Sequence, residues 1–171
     1  SDHHEAMQIA NGSTVKGAFA GARLAHGGAE SSFSVEDGRY RVRTDGPDGR
    51  LADFDVKYVF GFRPLQQYLL ELPGGRYQVL SVSWNTRPKA QGGQRWFHSY
   101  QGEQIDHRDV LHWTAPSQNW NYMCAECHST NLRKGYEPEA DRYETTFSDL
   151  DVACEACHGP GSDHLVWAAE V

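Results

Sequence analysis

All four cysteines of the 171-residue chain lie in two copies of one pattern, "MCAECHST" at residues 123–130 and "ACEACHGP" at 153–160. Each copy is Cys-x-x-Cys-His: Cys124, Cys127 and His128, then Cys154, Cys157 and His158. Three chemistries compete for two such pairs. Four sulfurs can hold a structural zinc ion in a tetrahedron, but a zinc ribbon has no use for the two adjacent histidines. A disulfide across a two-residue gap is the tight, strained loop of redox motifs rather than a structural staple. Haem uses every position: the two thiols add to the two vinyl groups of the macrocycle, and the adjacent imidazole becomes the proximal ligand of the iron. The reading taken is two covalently bound haem c groups, with His128 and His158 proximal.

The sixth ligand of each iron separates a carrier from a catalyst. An iron with two strong protein ligands has no place for substrate, whereas one with a single protein ligand can transform a small molecule. Met7 and Met123 are the only thioethers, and Met123 adjoins Cys124. Seven further histidines are available, so bis-histidine ligation is expected. His164 leads: it follows Gly159-Pro160-Gly161, which ends a helix and redirects the chain toward the other haem. His3 and His4 come next, with a plain terminal tail as the competing reading. His112, between Leu111 and Trp113, is a further distal candidate, with a buried hydrogen-bonded histidine as the alternative. His26, His98 and His107 read as ordinary.

Composition sets the frame for these sites. With 39% apolar and 23% charged residues the chain reads as soluble and globular. The formal charge of −7, made more negative by haem propionates, disfavours nucleic acid and anionic membranes and favours basic or metal-bearing partners. No apolar run approaches 18 residues, so no membrane span is expected. Covalent haem attachment implies export, periplasmic or extracellular.

The expected fold is mixed: an antiparallel β-rich half followed by a haem-organised segment of short helices and loops. Its divisions are an N-terminal arm at 1–30, a β-rich scaffold at 31–115 and a dihaem segment at 116–171. In the scaffold, Arg39, Arg41 and Arg43 alternate with Tyr40 and Val42, and Phe54, Val56, Tyr58 and Phe60 interleave with Asp53, Asp55 and Lys57. Further strands are predicted near 66–72, 76–84 and 95–100. Turns fall at Asp37-Gly38, Asp45-Gly46-Pro47-Asp48-Gly49, Pro73-Gly74-Gly75 and Gly92-Gly93. After Trp113 the alternation fades, and the porphyrins are expected to serve as the core.

The stretches "FGFRPLQQYLLELPGGRYQVLSVSWNTRP", "GGQRWFH", "LHWT", "QNWNYMCAECHSTNLRKGY" and "DVACEACHGPGSDH" resemble the multihaem c-type cytochromes that often join this module to tetratricopeptide repeats. Members of that family usually carry another Cys-x-x-Cys-His just before a Ser-x-His-x-x-Ala-Met segment. Here that segment stands as Ser1, His3, Ala6 and Met7 without the upstream motif. The resemblance implies that His3, rather than His4, ligates a haem.

The function expected is electron transfer through two low-spin bis-histidine haems, to redox protein partners or to copies of the same chain. An arm bearing His3 or His4 that capped an iron in a neighbouring subunit would make an extracellular head-to-tail haem filament. The alternative is a multihaem reductase or oxidase of a small nitrogen or sulfur compound with one open iron. Its polar donors would be Lys134, Tyr136, Arg133 and the asparagines of "QNWN".

Overall fold

The computed structural model describes residues 6–170; His3 and His4 lie outside the described residues. The scaffold strands are β1 (Met7–Ile9), β2 (Arg23–His26), β3 (Ala29–Glu36), β4 (Arg39–Asp45), β5 (Leu51–Phe60), β6 (Leu65–Leu72), β7 (Arg76–Val79), β8 (Val82–Asn85) and β9 (Arg95–His98). They form one antiparallel sheet in the order β2-β3-β4-β5-β6-β8-β9, with β1 added to β5 and β7 to β6. The sheet curls until its edges meet: the rings of His26 on β2 and His98 on β9 stack with centroids 3.7 Å apart. The fold is thus the predicted antiparallel β-rich half, closed to a near-barrel and followed by short helices.

Local sequence sets the hairpins. Asp37 and Gly38 take φ of 50° and 77°, the left-handed pair that lets a two-residue turn follow the twist of β3 and β4. Across β4 and β5 the arginine face meets acids in register, Arg41 opposite Asp55 and Arg43 opposite Asp53, each pair bridged at 2.9 and 2.7 Å. Cross-strand pairs of this exposed kind contribute about 0.2–1 kcal/mol each. On the other face Val42 is fully buried.

One strand serves two cores. The pairing of β5 with β6 shifts register between Val56 and Tyr58, a bulge that resets which face each side chain takes. Val56 and Val59 therefore join the barrel core, while Tyr58 and Phe60 pack on a second cluster beneath the later helices. In the barrel core Phe19 meets Phe33, Tyr40, Tyr68 and Trp96 edge-on, at centroid separations from 5.0 to 5.5 Å. Phe19 belongs to the stretch expected to be an arm; over its described part that stretch is built into the sheet through β1, β2 and this aromatic centre. The strand predicted near 76–84 is two strands, β7 and β8. They are separated at Leu80 and Ser81 because β7 pairs with the far half of β6 and β8 with the near half.

Candidate haem attachment sites

The second core is where scaffold and motifs meet. Met7, Leu69, Val79, Trp120 and Ala125 are buried together, with Phe60, Tyr77, Cys124, Phe147 and Leu150 packed around them. Trp120 opens α1 (Trp120–Met123), which is followed after Cys124 by α2 (Ala125–His128). Asn119 caps α1, its side-chain oxygen accepting from Tyr122 N at 2.9 Å, while its amide donates to Gln78 Oε1 at 2.9 Å. Asn121 is fully buried: it accepts from Tyr77 N at 2.8 Å and donates to the Gly75 carbonyl and to Thr145 Oγ1. These asparagines, read as donors over an open iron, instead bind the helix to β7.

Each Cys-x-x-Cys-His is one helical turn. Cys127 N donates to the Cys124 carbonyl at 3.1 Å, and Cys157 N to the Cys154 carbonyl at 3.2 Å. Residues at i, i+3 and i+4 share one face of such a turn, so each motif's two cysteines and its histidine fall on the same side. In the second copy the turn is α3 (Glu155–His158), stopped by Gly159 at φ 73°, and α4 (Ser162–Ala169) follows. Cys124 is half-buried, the other three cysteines are exposed, and none is in a disulfide. Burial pushes the Cys124 thiol up and the His128 imidazole down, the latter toward the neutral form that can ligate a metal. The His128 ring sits edge-on to Phe60 at 4.5 Å.

A single threonine joins the two motifs. Thr130, fully buried two residues after His128, donates from Oγ1 to the Asp151 carbonyl and accepts from Ala153 N, both at 2.9 Å, the latter one residue before Cys154. Its backbone pairs with Asp149 and Ser148. Below, β10 (Tyr136–Glu137) and β11 (Arg142–Tyr143) form a small hairpin held to the scaffold by Tyr143 N on the Gly74 carbonyl at 2.8 Å and by the Arg76–Asp141 ion pair. Gly75, at φ 67°, lies so close to the Tyr143 carbonyl that a Cβ would strike it.

The residues present suit a flat, apolar macrocycle held at its edge. Among the described residues no three His, Cys, Asp or Glu side chains converge, so the four thiols are not gathered into one tetrahedral sulfur site. Instead Cys127, Cys154 and Cys157 are exposed and Cys124 is half-buried, with apolar side chains left in water nearby in the chain: Tyr122 and Met123 at the first motif, Leu165, Val166 and Trp167 after the second.

The remaining histidines are placed as follows. His164 is exposed on α4, its ring 5.8 Å from that of Trp167. His112 is 4% exposed with both ring nitrogens engaged, Nε2 to Asp45 Oδ2 at 3.0 Å and Nδ1 to Thr114 Oγ1 at 2.8 Å. That geometry favours the hydrogen-bonded alternative over iron ligation. His98 accepts from Tyr100 N, and burial with the neighbouring His26 pushes its pKa down to about 4. Sequence reasoning missed Thr130, Gln78 and Trp120; only Asn119, a capping residue before an apolar run, carried a local signal.

Residues 80–159, just under half of the chain, match the family model described as Cytochrome c554 and c-prime, a stretch that runs from the break before β8 through both motifs. No curated protein and no solved structure matches the chain. The match supports a c-type cytochrome, a protein that holds haem c covalently and carries electrons.

Proposed function

We propose that the chain is a dihaem electron carrier of the periplasm or cell exterior. One haem would be attached at Cys124 and Cys127 with His128 proximal, the other at Cys154 and Cys157 with His158 proximal. The observation that carries this reading is the pair of helical turns, each with its two cysteines and histidine on one side, coupled through Thr130. Bound haem supplies a one-electron iron couple at each turn. The protein's part is to present two thiols and an imidazole from one face of each turn, and to fix the separation of the turns through Thr130. His164 is the distal ligand the sequence favours, with His3 and His4 beside it; His112 is assigned to holding Asp45.

The carrier is favoured over the reductase or oxidase by the amides of Asn119 and Asn121, which are engaged with β7 and its turn and so are not free to face a substrate. Lys134, another proposed donor, is paired with Glu126 at 3.3 Å.

Intact mass and visible spectra of the exported protein test this. Mass for two haems, with sharp low-spin bands that ignore carbon monoxide, is the expected result. A high-spin feature shifted by carbon monoxide moves the assignment to the enzyme, and protein without haem bands removes both.

A further inference from the structure

The net charge of the chain is unevenly distributed. Residues 116–171 hold ten acids against three bases, whereas residues 1–115 hold thirteen of each. The scaffold also contains two long stretches without an acid, 6–29 and 72–102. The fold brings cations of both stretches, Lys16, Arg87, Lys89 and Arg95, together with Arg63, which lies outside them. Lys16 and Arg63 flank the Phe62 ring, 5.3 and 5.5 Å from its centroid. Thr86 N donates to the Pro64 carbonyl at 3.0 Å, which sets the β8–β9 loop, with Arg87 and Lys89, against the β5–β6 turn. Arg95 pairs with Asn85 at the base of that loop. All five cations are exposed, and among the described residues none makes an ion pair. Of the two acids at the nearby β3–β4 turn, Glu36 is already bridged to Arg41 at 2.9 Å, which leaves Asp37 against five cations.

This cationic end adjoins a motif. Phe60, two residues before Phe62, is the residue on which the His128 ring packs. We infer that Lys16, Arg63, Arg87, Lys89 and Arg95 form the docking surface for an acidic electron-transfer protein, which approaches the first haem beside His128; the inference rests on the carrier reading above. It reverses the partner expected from net charge, because local potential within about a Debye length of 10 Å, rather than the total, steers an encounter. A foreign protein is the occupant inferred, because four of the ten acids in residues 116–171, Glu126, Glu137, Asp141 and Glu144, are already bridged to Lys134, Arg142 and Arg76, so a second copy has less unpaired negative charge to offer than its sequence suggests.

The test uses the haem-loaded protein and reduced flavodoxin, an acidic one-electron donor, in stopped flow. Arg63→Glu/Arg87→Glu is compared with Arg50→Glu/Arg108→Glu, which changes the total charge equally at the other end of the barrel. The first pair is expected to slow electron transfer about tenfold at low salt, with the difference vanishing at high salt, and the second to slow it far less. Arg63→Gln/Arg87→Gln repeats the measurement with a milder change should the reversal pair not fold. Equal slowing by both pairs overturns the inference. So does sedimentation showing wild-type association that Arg63→Glu/Arg87→Glu abolishes, which would assign the surface to a second copy. Oxidised flavodoxin should also shift the backbone amide resonances of Lys16, Arg63 and Arg87. This reads docking without electron transfer, so a missing haem and a missing interface are told apart.

Discussion

The two Cys-x-x-Cys-His turns share a sequence pattern and a backbone, yet one is embedded and the other is hung on the surface. Around the first, Trp120, Asn121 and Ala125 are fully buried and Cys124 is half-buried against the second core. Around the second, no residue of α3 or α4 is buried, and Trp167 is 62% exposed. The difference teaches that a motif specifies chemistry and not support. The scaffold pre-forms the first turn through β7, whereas the second is held at one end by Thr130 and otherwise left exposed.

The contrast can be broken most forcefully at Trp120. Trp120→Ala should cost about 3–5 kcal/mol in denaturant unfolding of the haem-free chain, because it empties the centre of the second core. A loss below about 1 kcal/mol would mean that the first turn is no better supported than the second. Next comes Asn121→Ala, which strands Tyr77 N and the Gly75 carbonyl and should cost about 2–3 kcal/mol for two buried groups left unmet.

Thr130→Val keeps the shape but removes the bond to Ala153 N, at about 1–2 kcal/mol. Its sharper signature is hydrogen exchange: Ala153 and the turn after it should lose protection while Tyr77 and Tyr122 keep theirs. Equal loss at both would show the two turns to be one cooperative unit.

At the barrel seam, where His26 and His98 stack, pH should also matter. Unfolded His98 takes up a proton near 6.5, while the folded residue stays neutral down to about 4. The unfolded state therefore binds more protons between those values. Stability from this site is complete above about pH 6.5, is lost as pH falls toward 4, and is level below. His98→Gln should flatten that slope in thermal melts, and an unchanged slope would assign it to other groups. The smallest effect is expected for Trp167→Ala, within about 0.5 kcal/mol in the haem-free chain. A large loss there would erase the distinction between the two turns.

What was legible in the chain was short-range. Arg39, Arg41 and Arg43 announced an exposed face, Asp37-Gly38 a two-residue hairpin and Gly159 the end of a helical turn, since each depends on φ preferences or on alternation within a few residues. The support of the first turn was not legible. Asn121 meets Gly75 across 46 residues and Thr130 meets Ala153 across 23, and nothing near either residue predicts its partner. β1, only three residues long, and the break between β7 and β8 were invisible for a related reason: both follow from how β5 and β6 divide their pairing among neighbours. The same holds for the cationic end, which five residues scattered from Lys16 to Arg95 form only after the sheet has curled.

By itself the sequence determined the two motifs and the strand alternation, because thiol spacing and side-chain period are local properties of the chain. The tertiary structure alone decided which turn is buried and which exposed, what holds them together and where charge gathers. Those are set by contacts between residues distant in sequence, and their energy comes from shared burial that no single segment possesses.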